Sequence, residues 1–240
     1  MKQLFFLVAL FTLAITPFAN AQMFSVGNSD ANNFNPFTPY LRAGISTVDF
    51  SYEGDPQQIA LRNRLSMSGT GIYLGFESNG LNADITLVNK LTGQDNSSLL
   101  QMGLRFNNPL PLVRRKTFTL ALPLQLGTEI TSVRNENSND EFSQTGLSAG
   151  VGGLVQIRAA EVLSFTSHVI PTYGFSSSSG GFFGGSVFGV NGKARLNFYN
   201  LLFSKNISFG FDYKFNSYDI DGETLDYDLE KLTFTIGVSL

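Results

Sequence analysis

The 240-residue sequence contains no cysteine and no tryptophan, and only 15% of its residues are charged. Without cysteine there can be no disulfide, no thiolate metal site and no lipid attached through a cysteine. Soluble domains carry about 25% charged residues, so so little charge argues for a surface that does not face water. The net charge of −3 gives no electrostatic footing for nucleic acid. Beyond the first residues there is no apolar run long enough for a spanning helix. Phenylalanine and glycine, in contrast, are abundant, at 23 and 24. Without tryptophan, Tyr and Phe are left to occupy any membrane–water interface.

The chain opens with a secretory leader. Lys2 supplies positive charge, Leu4 to Ile15 is apolar apart from Thr12, and Ala19-Asn20-Ala21 has the small-x-small spacing of a cleavage site. Residues 1–21 are therefore expected to be a signal peptide, with the mature chain starting at Gln22. Residues 22–39, rich in Asn, Ser, Phe and Pro, are expected to be an irregular periplasmic segment. Residues 40–240 form the main domain.

Within that domain the controlling pattern has a period of two. In Thr117–Gly127, Phe118, Leu120, Leu122, Leu124 and Leu126 alternate with Thr119, Ala121, Pro123 and Gln125. This is the spacing of a strand with one apolar and one non-apolar face. The pattern recurs in about ten segments, near residues 40–50, 69–77, 81–91, 98–106, 117–133, 142–158, 162–175, 182–199, 206–218 and 229–240. Polar connections follow the odd-numbered segments (51–68, 92–97, 134–141, 176–181 and 219–228). The even-numbered ones are followed mostly by shorter turns, including Ser78-Asn79-Gly80 and a Pro-containing turn at 107–116. Long loops on one side and short turns on the other are the asymmetry of a bacterial barrel. Without a spanning helix, only a closed barrel can carry such strands through lipid. The fold class is therefore all-β, a transmembrane antiparallel up-and-down β-barrel of about 10 strands.

If the apolar residues face lipid, the alternate positions line the lumen. The expected charge network is Arg42, Glu77, Asp84, Arg105, Arg158, Lys193, Arg195, Asp212 and Lys214, with Gln125, Glu129, Gln156 and His168 on the same face. Pairing across the turns sets Asp84 opposite Arg105 and Lys193 opposite Asp212, with Arg42 and Glu77 near the periplasmic ends of the first two strands. Opposed unlike charges stabilise a sheet by roughly 0.2–1 kcal/mol, whereas a cationic side chain turned to lipid costs about 2–4 kcal/mol at the midplane. The register is therefore enforced. A barrel of this strand count is close to the size that side chains fill, so an open diffusion pore is not the default expectation.

The chemistry-bearing motifs are sparse. His168 is the single histidine, beside Ser167 and on the same face as Ser164. A Ser–His hydrolase element needs the two within hydrogen-bond reach. No acidic partner lies at close strand spacing, so His168 is expected to be a lumenal polar residue. Asp219, Asp221, Glu223, Asp226 and Asp228 make an acidic outer loop that lacks the full ligand spacing of a calcium loop. No catalytic residue, metal or cofactor is expected.

The last strand, Leu232, Phe234, Ile236, Val238 and Leu240, alternates to the final residue. This resembles the C-terminal strand of small outer-membrane barrels, the OmpA/OmpX/OmpW-like group, although that group usually ends in Phe. The resemblance implies the outer membrane of a Gram-negative cell, insertion by the barrel assembly machinery and a structural, adhesive or small-solute-passing role. The expected partners are outer-membrane lipid and the assembly machinery; the alternative function is a secretion or assembly accessory barrel that binds a periplasmic partner through Gln22–Pro39, with a lumenal hydrolase using His168 as the remaining alternative.

Overall fold

In the computed structural model the described residues are 38–57, 65–78, 80–137, 141–178, 184–202, 204–222 and 224–240. The leader and the 22–39 segment lie outside them, apart from residues 38 and 39. The strands are β1 Tyr40–Tyr52, β2 Met67–Glu77, β3 Leu81–Val88, β4 Ser97–Arg114, β5 Phe118–Asn135, β6 Glu141–Val151, β7 Gly153–Ala160, β8 Leu163–Ser178, β9 Gly185–Leu202, β10 Lys205–Ile220 and β11 Tyr227–Ser239.

Every strand pairs antiparallel with its neighbours, and β1 closes on β11 from Tyr40↔Ser239 to Tyr52↔Tyr227. Closure leaves no sheet edge in the wall, which is what lipid requires. β6 and β7 are two halves of one stave, because β5 and β8 pair with both in unbroken register. The barrel thus has ten staves. The break falls at Gly152, whose N–H donates to the Pro123 carbonyl at 3.2 Å. The reciprocal bond is missing because Pro123 has no N–H.

The strands are staggered. Following partners from Ile45 through Ile72, Leu87 and Leu100 reaches Ser132 on β5. The other way round, through Phe234, Phe211, Ala194, Ser167 and Val155, it reaches Leu120. The displacement along β5, from 132 to 120, is the shear that a tilted, closed sheet requires.

Alternation sorts the side chains. Leu41, Ile45, Leu74, Leu126, Phe234 and Ile236 are exposed on the outer face, while Ser46, Thr86, Gln101, Thr131 and Thr233 are buried inside. Several boundaries differ from the sequence expectation. β4 continues to Arg114, pairing with β5 as far as Arg114↔Thr119, so the expected turn at 107–116 shrinks to residues 115–117. The long alternating face of β5 offers a partner that outweighs Pro109 and Pro111, and the misfit appears as a register shift between Pro111 and Val113. β3 stops at Val88 because Asn89 caps a 3₁₀ turn, Lys90–Thr92: its side chain accepts from the Leu91 N–H at 2.9 Å. Leu91 is therefore in the loop, 86% exposed, rather than in the strand. In the last long connection Asp221 and Gly222 both take positive φ, 54° and 59°, the left-handed pair that an Asp-Gly turn supplies.

Candidate functional site

The lumen is built in layers, each stave contributing alternate residues. Nearest the short turns, Glu77 on β2 forms an ion pair with Arg42 on β1. It also accepts from Arg195 Nε at 3.0 Å and lies 3.6 Å from Lys193 Nζ, both on β9. Arg195 in turn forks onto Asp212 of β10, with Nη2–Oδ2 at 3.0 Å. Its Nη1 also donates to the carbonyls of Ala194 (3.0 Å) and Phe211 (3.3 Å). Arg42 donates to the Ser208 hydroxyl at 3.0 Å.

The middle layer centres on two more carboxylates. Asp84 on β3 pairs with Arg105 on β4, and Glu129 on β5 pairs with Lys214 on β10. Arg105 also lies 3.7 Å from Glu129. Glu129 accepts from Gln101 at 3.0 Å and Asn216 at 2.6 Å. Lys231 on β11 donates to Thr86 at 3.0 Å and to Gln101, and stands 3.9 Å from Asp84. Charge-assisted bonds of this kind are stronger than neutral ones, and taking the charges out of water makes each partner costly to remove.

Above the charges the lumen becomes apolar. Val48, Phe50, Met67, Val88, Leu99, Val133, Phe142, Ile220, Tyr227 and Leu229 converge, with Leu65, into one buried cluster at the long-loop end. Phe50 stacks on Tyr227 with ring centres 4.7 Å apart, and Phe142 leans on both at 5.0 and 4.9 Å. Phe50 and Leu229, at the centre of this cluster, are 0% exposed. Tyr218 joins the two regions: its ring meets Phe142 edge-on, and its hydroxyl bonds Thr131 at 3.0 Å and receives the Asn216 amide at 3.2 Å. Two cavities of about 30 Å³ each are found within the charged layers. At roughly 10–15 Å³ per water, each admits only a few small bodies.

Eight of the nine charged residues named from sequence stand in this network. Arg158 does not: at the end of β7 its guanidinium bonds the carbonyls of Ala160 and Glu161 at the short-turn rim. Of the two expected facing pairs one shifts and one holds. Asp84 sits opposite Gly103, and Arg105 opposite Asn82, so their ion pair is a diagonal one. Lys193 is opposite Asp212, yet Asp212 is taken by Arg195 and Lys193 leans towards Glu77. Sequence reasoning missed Lys231, although Leu232 facing outward puts position 231 inward by the same alternation. It also missed the aromatic cap, because an apolar lumen residue carries no sign in the sequence that sets it apart from an apolar lipid-facing one.

His168 faces Leu154 on one side and Lys193 on the other. Ser164 is bonded to the Tyr199 hydroxyl at 2.6 Å and the Asn197 amide at 3.3 Å. Its hydroxyl is thus engaged away from His168. Among the described residues no cluster of three or more His, Asp or Glu is placed to hold a metal ion. In the acidic loop, the Asp226 carboxylate accepts from the Ile220 N–H at 2.9 Å, a turn-closing role.

No helix among the described residues is long and apolar enough to cross a membrane. An apolar exterior wrapped around ion pairs inverts the soluble plan. This is a transmembrane barrel. Single-chain barrels with an even stave number, short turns at one end and longer loops at the other belong to the Gram-negative outer membrane, and that is its location.

No protein-family model matches the chain, and no curated protein matches it by sequence. Among solved structures it is similar to the outer membrane protease OmpT from Escherichia coli, at 8% identity and a TM-score of 0.43, covering 87% of this chain and 99% of that one. The outer membrane protein OprG from Pseudomonas aeruginosa aligns at 12% identity and 0.34, over 84% and 94%. Ail, the attachment invasion locus protein of Yersinia pestis, in complex with the heparin analogue sucrose octasulfate, aligns at 11% and 0.29, over 85% and 99%.

Proposed function

We propose that this chain is a closed, non-catalytic outer-membrane barrel with a structural or adhesive role, whose working parts are its wall and outer loops. The observation that carries this reading is the filled lumen: ion pairs through its middle and a buried aromatic cluster at its long-loop end. Passage of a small solute would require the cap to part and the charged layers to separate at the same time. The lipid of the outer membrane is the partner of the apolar belt, and the barrel assembly machinery is the partner of the last strand. A periplasmic partner bound through Gln22–Pro39 is a separate proposal, tested by deleting that segment and asking whether capture is lost while insertion persists.

The closed-lumen reading is tested in planar bilayers. The refolded barrel is expected to give no steady conductance steps. The combined Phe50→Ala, Phe142→Ala and Tyr227→Ala variant is expected to give more frequent openings than the parent. Regular ion-selective steps from the unmodified protein would favour the narrow-channel reading instead.

A further inference from the structure

Charge does not balance inside the barrel. Among the described residues the lumenal network sets six cations against four carboxylates. The surplus is not spread evenly. One of the two cavities, about 30 Å³, is lined by Arg105, Lys193, Lys214 and Lys231, with only Asp84 and Asp212 as acids. Asp212 is forked onto Arg195, outside the lining, and Asp84 is taken up by Arg105, so neither carboxylate is left to balance the three ammonium groups. Two of the three ammonium groups reach their carboxylates only at a distance, Lys193 at 3.6 Å from Glu77 and Lys231 at 3.9 Å from Asp84. Lys231 places two of its three donors on the neutral Thr86 and Gln101, and a buried charge without a close counter-charge is expensive.

We propose that this cavity is a binding site for one small monovalent inorganic anion, held between Lys193, Lys214, Lys231 and Arg105. At roughly 10–15 Å³ per water position, the cavity admits two or three water-sized bodies, so a halide fits with a water or two beside it. The neutral residues Tyr73 and Asn191 also line the cavity. Chloride is the halide the chemistry calls for. Its role is to neutralise the lumen's surplus rather than to pass through it, so the site stands whether or not the barrel conducts.

The direct test is anomalous diffraction from crystals of the refolded barrel soaked in bromide, the heavier homologue of chloride. The expected result is an anomalous peak among the ammonium groups of Lys193, Lys214 and Lys231. Peaks confined to the outer surface, or no peak at all, would overturn the proposal. A solution measurement supports it independently. The unfolding midpoint in denaturant is expected to be higher in chloride than in gluconate at equal ionic strength, and this difference is expected to vanish in Lys231→Met. Equal midpoints in the two salts, or a difference that persists in Lys231→Met, would also overturn it. If that variant does not fold, the bromide map of the unmodified protein still decides.

Discussion

Glu77 is the residue on which the lower lumen depends, since it is shared by Arg42, Arg195 and Lys193. Replacing it with Gln keeps the shape and removes the charge, leaving guanidinium groups buried without their carboxylate. Breaking a buried pair from one side costs about 3–5 kcal/mol. Glu77→Gln is therefore expected to lower the unfolding free energy of the refolded barrel by about that much in a urea titration. A loss below about 1 kcal/mol, the range of exposed pairs, would show that water reaches the pair. On the other face, Ile45 is exposed near the middle of β1. Ile45→Arg is expected to cost about 2–4 kcal/mol in a lipid bilayer, and little in the same titration if position 45 lay in water. The polarity of each face was legible from alternation alone, which placed Arg42, Arg195 and Lys214 inward. The choice of partner was not, because Arg42 and Arg195 each reach a carboxylate two residues along a neighbouring strand, and Arg195 also reaches Glu77 on β2, four strands away along the wall. Side-chain reach, not backbone register, decides who pairs with Asp84 and Asp212.

The sixth stave, β6 and β7, is interrupted at Gly152. Pro123 withholds one bond from Gly152, and a Cβ at 152 would run into the Val169 backbone carbonyl of β8. Gly152→Val is expected to split this stave from β8 and to give a marked fall in folded yield on refolding. Gly153→Val, at the neighbouring position where a Cβ meets nothing within 4 Å, is expected to refold as the parent does. Equal yields for the two variants would contradict the close approach. Pro123→Ala restores the missing donor, a gain of about 0.5–1.5 kcal/mol, offset by about 0.4–1 kcal/mol from a looser unfolded chain. Its stability is expected to change little, while amide exchange at position 123 is expected to report a protected hydrogen. The sequence pattern carried this stave as one strand and so read the topology correctly. It failed at Asn107 to Arg114, where Asn and Pro signal a turn but the partner strand β5 keeps the chain extended.

At the scale of the molecule, the inverted distribution of polarity is what the low charge content and the ten alternating segments required. The layering of the lumen came only with the structure. Position 50 and position 42 share a face and a parity, and nothing local tells that Phe50 meets Phe142 across the barrel and Tyr227 on the neighbouring strand while Arg42 meets Glu77. The Phe50–Phe142 contact joins staves distant in sequence through the tilt and stagger of a closed sheet. Closure is the property from which the lipid belt, the lumen and the cap all follow. It is tested most directly by the electrophoretic mobility of the detergent-extracted outer-membrane fraction with and without boiling. A closed barrel resists detergent until heated, so a band that shifts on boiling is the expected result. A protein that appears in the soluble periplasmic fraction and migrates identically before and after boiling would contradict the account.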